Sequence, residues 1–170
     1  MIYPSAIDCL KTIESTLENK IKPLLSGTFE RSTLATVGHL LRHVVCRIEH
    51  EGDVLFDDIQ ALKRLLPEIR RYAAQPGGSN AVIAEIDDVL ARHFRPPGAY
   101  PSLTSLAEEA GALREALASA QTWLIATAGE RKNRADCQHI REQIRTYIAQ
   151  QLTGEALLVE PAFVGHGPRR

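Results

Sequence analysis

The sequence predicts an all-α protein, a six-helix bundle followed by an extended C-terminal arm. Three observations lead there. Apolar residues recur at steps of three and four in six successive segments, as a helix with one buried face requires. Proline- and glycine-rich stretches separate those segments. No stretch sustains the period-two alternation of a strand between hairpin signals. The chain has 170 residues, 44% of them hydrophobic and 24% charged, a balance that supports a folded core and excludes a disordered one.

The first helix starts at Ser5, an N-cap after Pro4 with Asp8 placed as a weak capping box. Ile7, Leu10, Ile13, Leu17, Ile21 and Leu24 share one face, and Pro23 with Ser26-Gly27 ends it. Ser32 or Thr33 opens the second, which runs to about His50 and stops at Gly52. Its stripe of Leu34, Val37, Leu41, Val44 and Ile48 has the 3-4 stepping of a bundle seam. The third carries Leu55, Ile59, Leu62, Leu66 and Ile69, with Pro67 as a kink.

Gln75-Pro76-Gly77-Gly78-Ser79 breaks the chain before a fourth helix with Val82, Ile86, Val89, Leu90 and Phe94. The prolines of Arg95-Pro96-Pro97-Gly98-Ala99-Tyr100-Pro101 end it, and Ser102 caps the next. The fifth repeats Leu103, Leu106, Ala110, Leu113, Leu117, Ala120 and Leu124, with alanines that admit a close neighbour. After Gly129, the sixth uses Ile140, Ile144, Tyr147, Ile148 and Leu152. From Gly154 the chain reads as an extended arm, with Leu157-Leu158-Val159 and Phe163-Val164 on either side of Pro161.

The expected organisation is one helical domain over residues 1–153, with three-helix halves 1–74 and 79–153, and a tail over 154–170. Leu17 to Pro23 and Leu90 to Pro96 align at an offset of 73, as do Gly38 and Gly111, which an old duplication would produce.

Twenty basic and 21 acidic side chains leave a net charge of −1, so no global field draws the chain to nucleic acid or to an anionic membrane. Cys9, Cys46 and Cys137 are scattered at no finger or redox spacing, which reads as reduced thiols in the cytoplasm. The start of the chain shows no signal-peptide pattern, and no apolar run reaches the roughly 18 residues of a membrane span.

The second helix holds the strongest candidate for chemistry. His39, His43, Cys46 and His50 step 4-3-4 and form one stripe, a ligand set for zinc or another transition metal. A closed site needs a ligand from elsewhere, and His139, in Asp136-x-x-His139, is the candidate. The bland reading is a semi-polar contact face on a central helix, for which His and Cys are suited. A second candidate is the basic group Arg131, Lys132, Arg134, Arg141 and Arg145, which could receive a phosphate, an acyl-coenzyme tail or an acidic partner. Interleaved Glu130, Asp136 and Glu142 favour a solvated face instead. Gln75 to Asn80 meets no nucleotide fingerprint, and no nucleophile elbow, catalytic cysteine signature or calcium loop is present.

Pro4-Ser5-Ala6, Leu10, Leu17-Glu18, Ile21, Pro23, Leu25 and Gly27 precede a helix with Leu40-Leu41-Arg42 and Arg47-Ile48-Glu49. This order resembles a small all-helical bacterial domain of unknown function found next to aminoglycoside-phosphotransferase-like kinases and acyl-CoA dehydrogenases. The resemblance covers the first seventy residues and brings no catalytic motif. It implies an accessory helical module near acyl-CoA or small-molecule phosphorylation chemistry. With a good core and no recognisable reaction chemistry, the expected function is a non-catalytic interaction module with a protein partner or a second copy. The alternatives are a metal-binding bundle and a small-ligand binder with an acyl or phosphate-bearing ligand.

Overall fold

In the computed structural model, described over residues 3–96, 98–127 and 135–163 (160–163 as backbone only), the chain is all-helical. Five α-helices occur among the described residues: α1 (Ala6–Thr16), α2 (Thr28–Ala73), α3 (Asn80–Ala91), α4 (Leu103–Ala126) and α5 (Ala135–Phe163). The expected count of six is corrected because the second and third helices are one. Gly52 does not stop α2. A glycine inside a helix costs only about 1 kcal/mol, and the Arg47–Glu51 ion pair ties the turn just before it. Pro67 also lies within α2. The expected extended arm is corrected over residues 154–163, since α5 continues without a break from Ala135 to Phe163, and residues 164–170 lie outside the described residues.

Local chemistry sets the helix ends. Ser5 and Asp8 form a complete capping box: the Ser5 hydroxyl accepts from Asp8 N–H at 3.1 Å, and the Asp8 carboxylate accepts from Ser5 N–H at 3.0 Å. Hydrogen bonds from Ser5 hold the Asp8 carboxyl below its ordinary value. Pro23 has no N–H to continue the ladder, so the end of the first helical segment changes pitch. Leu17–Ile21 is a π turn and Lys22–Leu24 a 3₁₀ turn. After α2, Gly77 takes φ 79°, and a side chain at Gly78 would collide with the Ala73 carbonyl, so this turn requires both glycines. Ser79 and Ser102 cap α3 and α4.

The chain forms two compact units, which divide elsewhere than the expected halves. One comprises Met1–Gly52 with Gly154–Arg170, and the other Asp53–Thr153. Of the aligned segments, residues 17–23 are helical turns, whereas Arg92 to Pro96 lie beyond the end of α3, and Gly38 and Gly111 both lie inside helices.

The second unit contains the core. Leu62, Leu66 and Ile69 of α2, Ile86 of α3, Leu113 and Ala120 of α4 are fully sealed from solvent, and Ile140, Ile144 and Tyr147 of α5 close over them. Tyr72 and Trp123 add a tilted ring contact at 5.8 Å between centroids. Ion pairs lace its outside, with Arg70 bidentate on Asp87 at 2.5 and 2.8 Å.

The first unit is built differently. α1 meets α2 through Arg42–Glu14 at 2.6 Å and Lys11–Glu49 at 3.7 Å. Among its described residues only Leu34 and Cys46 are buried apolar side chains. Leu66→Ala is therefore expected to cost about 2–5 kcal/mol in chemical denaturation, against less than about 0.5 kcal/mol for Ile125→Ala on the surface. Residues 53–153 alone should still melt cooperatively, and a fragment without a transition would show that the second unit is not self-sufficient.

Candidate functional site

The segment of α2 from Phe29 to Ile48 carries an apolar face that stays exposed among the described residues. Phe29 is 84% exposed, Val37 39%, Leu40 60%, Val44 43% and Ile48 46%. At 100° per residue these five side chains fall within one arc about 100° wide. The residues the helix does bury, Leu34, Gly38 and Cys46, occupy a different sector. The expected seam through Val37, Val44 and Ile48 is thus exposed rather than packed.

Polar groups on and beside this arc are already satisfied. The Thr33 hydroxyl donates to the Phe29 carbonyl at 3.0 Å. Glu30 accepts from the Gly27 N–H at 2.7 Å, and Arg47 is paired with Glu51. That pairing holds the Glu51 carboxyl below its ordinary value, chiefly through the hydrogen bonds from Arg47. The arc can therefore be covered without stranding a charge, and its chemistry is that of a contact surface.

The His/Cys stripe lies beside this arc on the same helix. Cys46 is buried and its thiol donates to the Leu157 carbonyl at 3.0 Å. His43 is half-buried, with Nδ1 enclosed and without a hydrogen-bond partner among the described residues, while His50 is exposed. His39 is half-buried. His139 belongs to the second unit, in a cleft of about 350 Å³ with Arg64, Glu68, Gln143 and Tyr147. Among the described residues no three His, Cys, Asp or Glu side chains gather in a way that could hold a metal ion. Of the basic group, Arg131, Lys132 and Arg134 lie outside the described residues. Arg141 donates to the Leu124 carbonyl at 3.4 Å, and Arg145 pairs with Glu142 at 3.3 Å. No described helix is long and apolar enough to cross a membrane.

Sequence reasoning missed one polar cluster. Asp58 is buried in the second unit, where it accepts from Arg114 Nε at 2.9 Å and from the Tyr147 hydroxyl at 2.8 Å. A buried carboxylate is costly unless paired and hydrogen-bonded, and here it is both. No local pattern marks Asp58, and only three-dimensional packing brings residues 56 and 89 positions away onto it. Burial, and then the carboxylate that accepts its proton, push the Tyr147 hydroxyl above its ordinary 10.0. The folded state thus keeps this proton where the unfolded chain loses it. The resulting stability is complete below pH 10 and declines as pH rises towards the higher folded value. Tyr147→Phe should cost about 1–2 kcal/mol near neutrality. The gap in melting temperature between the two proteins should narrow above pH 10, and a constant gap would contradict the assignment.

No family model matches the chain, and no match was found among the curated proteins or the solved structures.

Proposed function

We propose that the protein is a non-catalytic interaction module whose working surface is the exposed apolar stripe of α2 in the first unit. One observation carries the reading: a helix face with the stepping of a bundle seam is left in solvent, while the second unit seals its own seam completely. The polar groups beside the stripe are internally satisfied, which suits a face that is covered and uncovered by another polypeptide.

The test is site-specific photo-crosslinking in cells. A benzophenone side chain at Leu40 or Val44 should give polypeptide adducts, whereas one at the exposed Glu142 should give none. An absence of polypeptide adducts at both stripe positions would remove the reading.

The metal reading has one observation in its favour, the enclosed and unpartnered Nδ1 of His43. Elemental analysis of untagged protein grown in metal-supplemented medium decides it. A metalloprotein shows near-stoichiometric metal that is lost in His43→Ala, and metal-free wild type with a melt indifferent to chelator retires the idea.

A further inference from the structure

We propose that the first unit opens and closes by itself, as one piece, while the second unit stays folded, and that the two helices they share break at Gly52 and Gly154. The proposal concerns the stability of the first unit and is independent of what covers its stripe.

Burial sets the difference. Every member of the hydrophobic core cluster lies between Ile59 and Tyr147, inside the second unit. Among the described residues of the first unit, only Leu34 and Cys46 are buried apolar side chains, and α1 with the turns that follow it buries none. The ion pairs Arg42–Glu14 and Lys11–Glu49 that fasten α1 to α2 are partly open to solvent, which screens them. A region with few buried contacts opens at a lower free energy than a sealed core.

The border is marked twice. α2 leaves the first unit at Gly52, and α5 enters it at Gly154. Both glycines fall between the same two α2–α5 contacts, Cys46 with the Leu157 carbonyl on one side and Asp58 with Tyr147 on the other. Glycine weakens a helix about fivefold relative to alanine. Both helices are thus weakest where burial changes. Beyond Gly154, α5 also carries Pro161, whose missing N–H leaves the Leu157 carbonyl to the Cys46 thiol.

The three cysteines report on the two units separately. Cys9 is exposed, Cys46 is buried in the first unit and Cys137 is buried in the second. The test labels the purified full chain with iodoacetamide at low concentration and locates each label by peptide mass. Each rate is divided by that of the same thiol in the denatured chain. Cys9 should be nearly unprotected, and Cys46 should label at least about a hundredfold faster than Cys137. Equal protection of Cys46 and Cys137 means that the chain opens as a whole, and overturns the proposal.

Leu66→Ala destabilises the closed and the half-open chain alike. It should therefore speed Cys137 at least about thirtyfold and leave Cys46 unchanged. Acceleration of both by one factor overturns the proposal as well. If Leu66→Ala leaves too little folded chain, Ile86→Val makes the same comparison at about fivefold. Hydrogen exchange read by mass spectrometry locates the border. Amides of residues 28–52 and 154–159 should exchange together, and faster than those of 59–73 and 140–150. A border elsewhere in either helix overturns the two glycines as the break points.

Discussion

The packing of Leu62, Leu66 and Ile69 of α2 against Ile86, Leu113 and Ile144 is the constraint on which the rest of the second unit depends. Each of these side chains contributes roughly 1.5–3 kcal/mol by leaving water. Together they offset features that would break a helix in isolation. Pro67 removes a ladder hydrogen bond at a cost of about 3 kcal/mol, yet it sits between Leu66 and Ile69, where the helix has most to gain from continuing. The same enclosure makes Asp58 expensive, and Arg114 and Tyr147 are the groups that make it tolerable. That trio adds direction to a core that is otherwise non-directional, since its hydrogen bonds are satisfied in a single register of α2, α4 and α5.

One helix obeys the same rule with two outcomes. The apolar spacing of Val37, Leu41, Val44 and Ile48 resumes after Gly52, which fills the step between, in Leu55, Ile59, Leu62, Leu66 and Ile69 at the same three- and four-residue steps. Beyond Asp53 that stripe is a core, sealed by α3, α4 and α5. Before Gly52, its Val37, Val44 and Ile48 are exposed, although Leu34 and Cys46 are buried on another sector. Hydrophobic periodicity reports that a face is to be covered, and it is silent on which molecule covers it.

This explains what was legible in the sequence. The all-helical character, the Ser5 and Ser102 caps, the Gly77-Gly78 turn and most of the buried stripes of the second unit follow from local chemistry, whereas Leu103, Ile148 and Leu152 are exposed and Phe94 lies past the end of α3. The continuity of α2 does not follow, because a glycine's cost is small beside tertiary packing and leaves no separate mark. The helical character of residues 154–163 was hidden by Pro161, which has no N–H for the Leu157 carbonyl, and that carbonyl accepts the Cys46 thiol instead. The Asp58 cluster was invisible because its members are far apart in sequence. The His/Cys stripe was legible as a pattern, but its thiol serves the Leu157 carbonyl, a backbone group that no residue type announces.

The exposed stripe and its spacing bear on different questions. Exposure alone says that a cover is missing and would suit any apolar partner. The spacing adds nothing to that choice, because every arc along one α-helix reads the same in both directions. What the stripe does fix is the chemistry of its cover: an apolar surface about five side chains long, flanked by the Arg47–Glu51 ion pair and by Glu30, whose carboxylate already accepts from the Gly27 N–H.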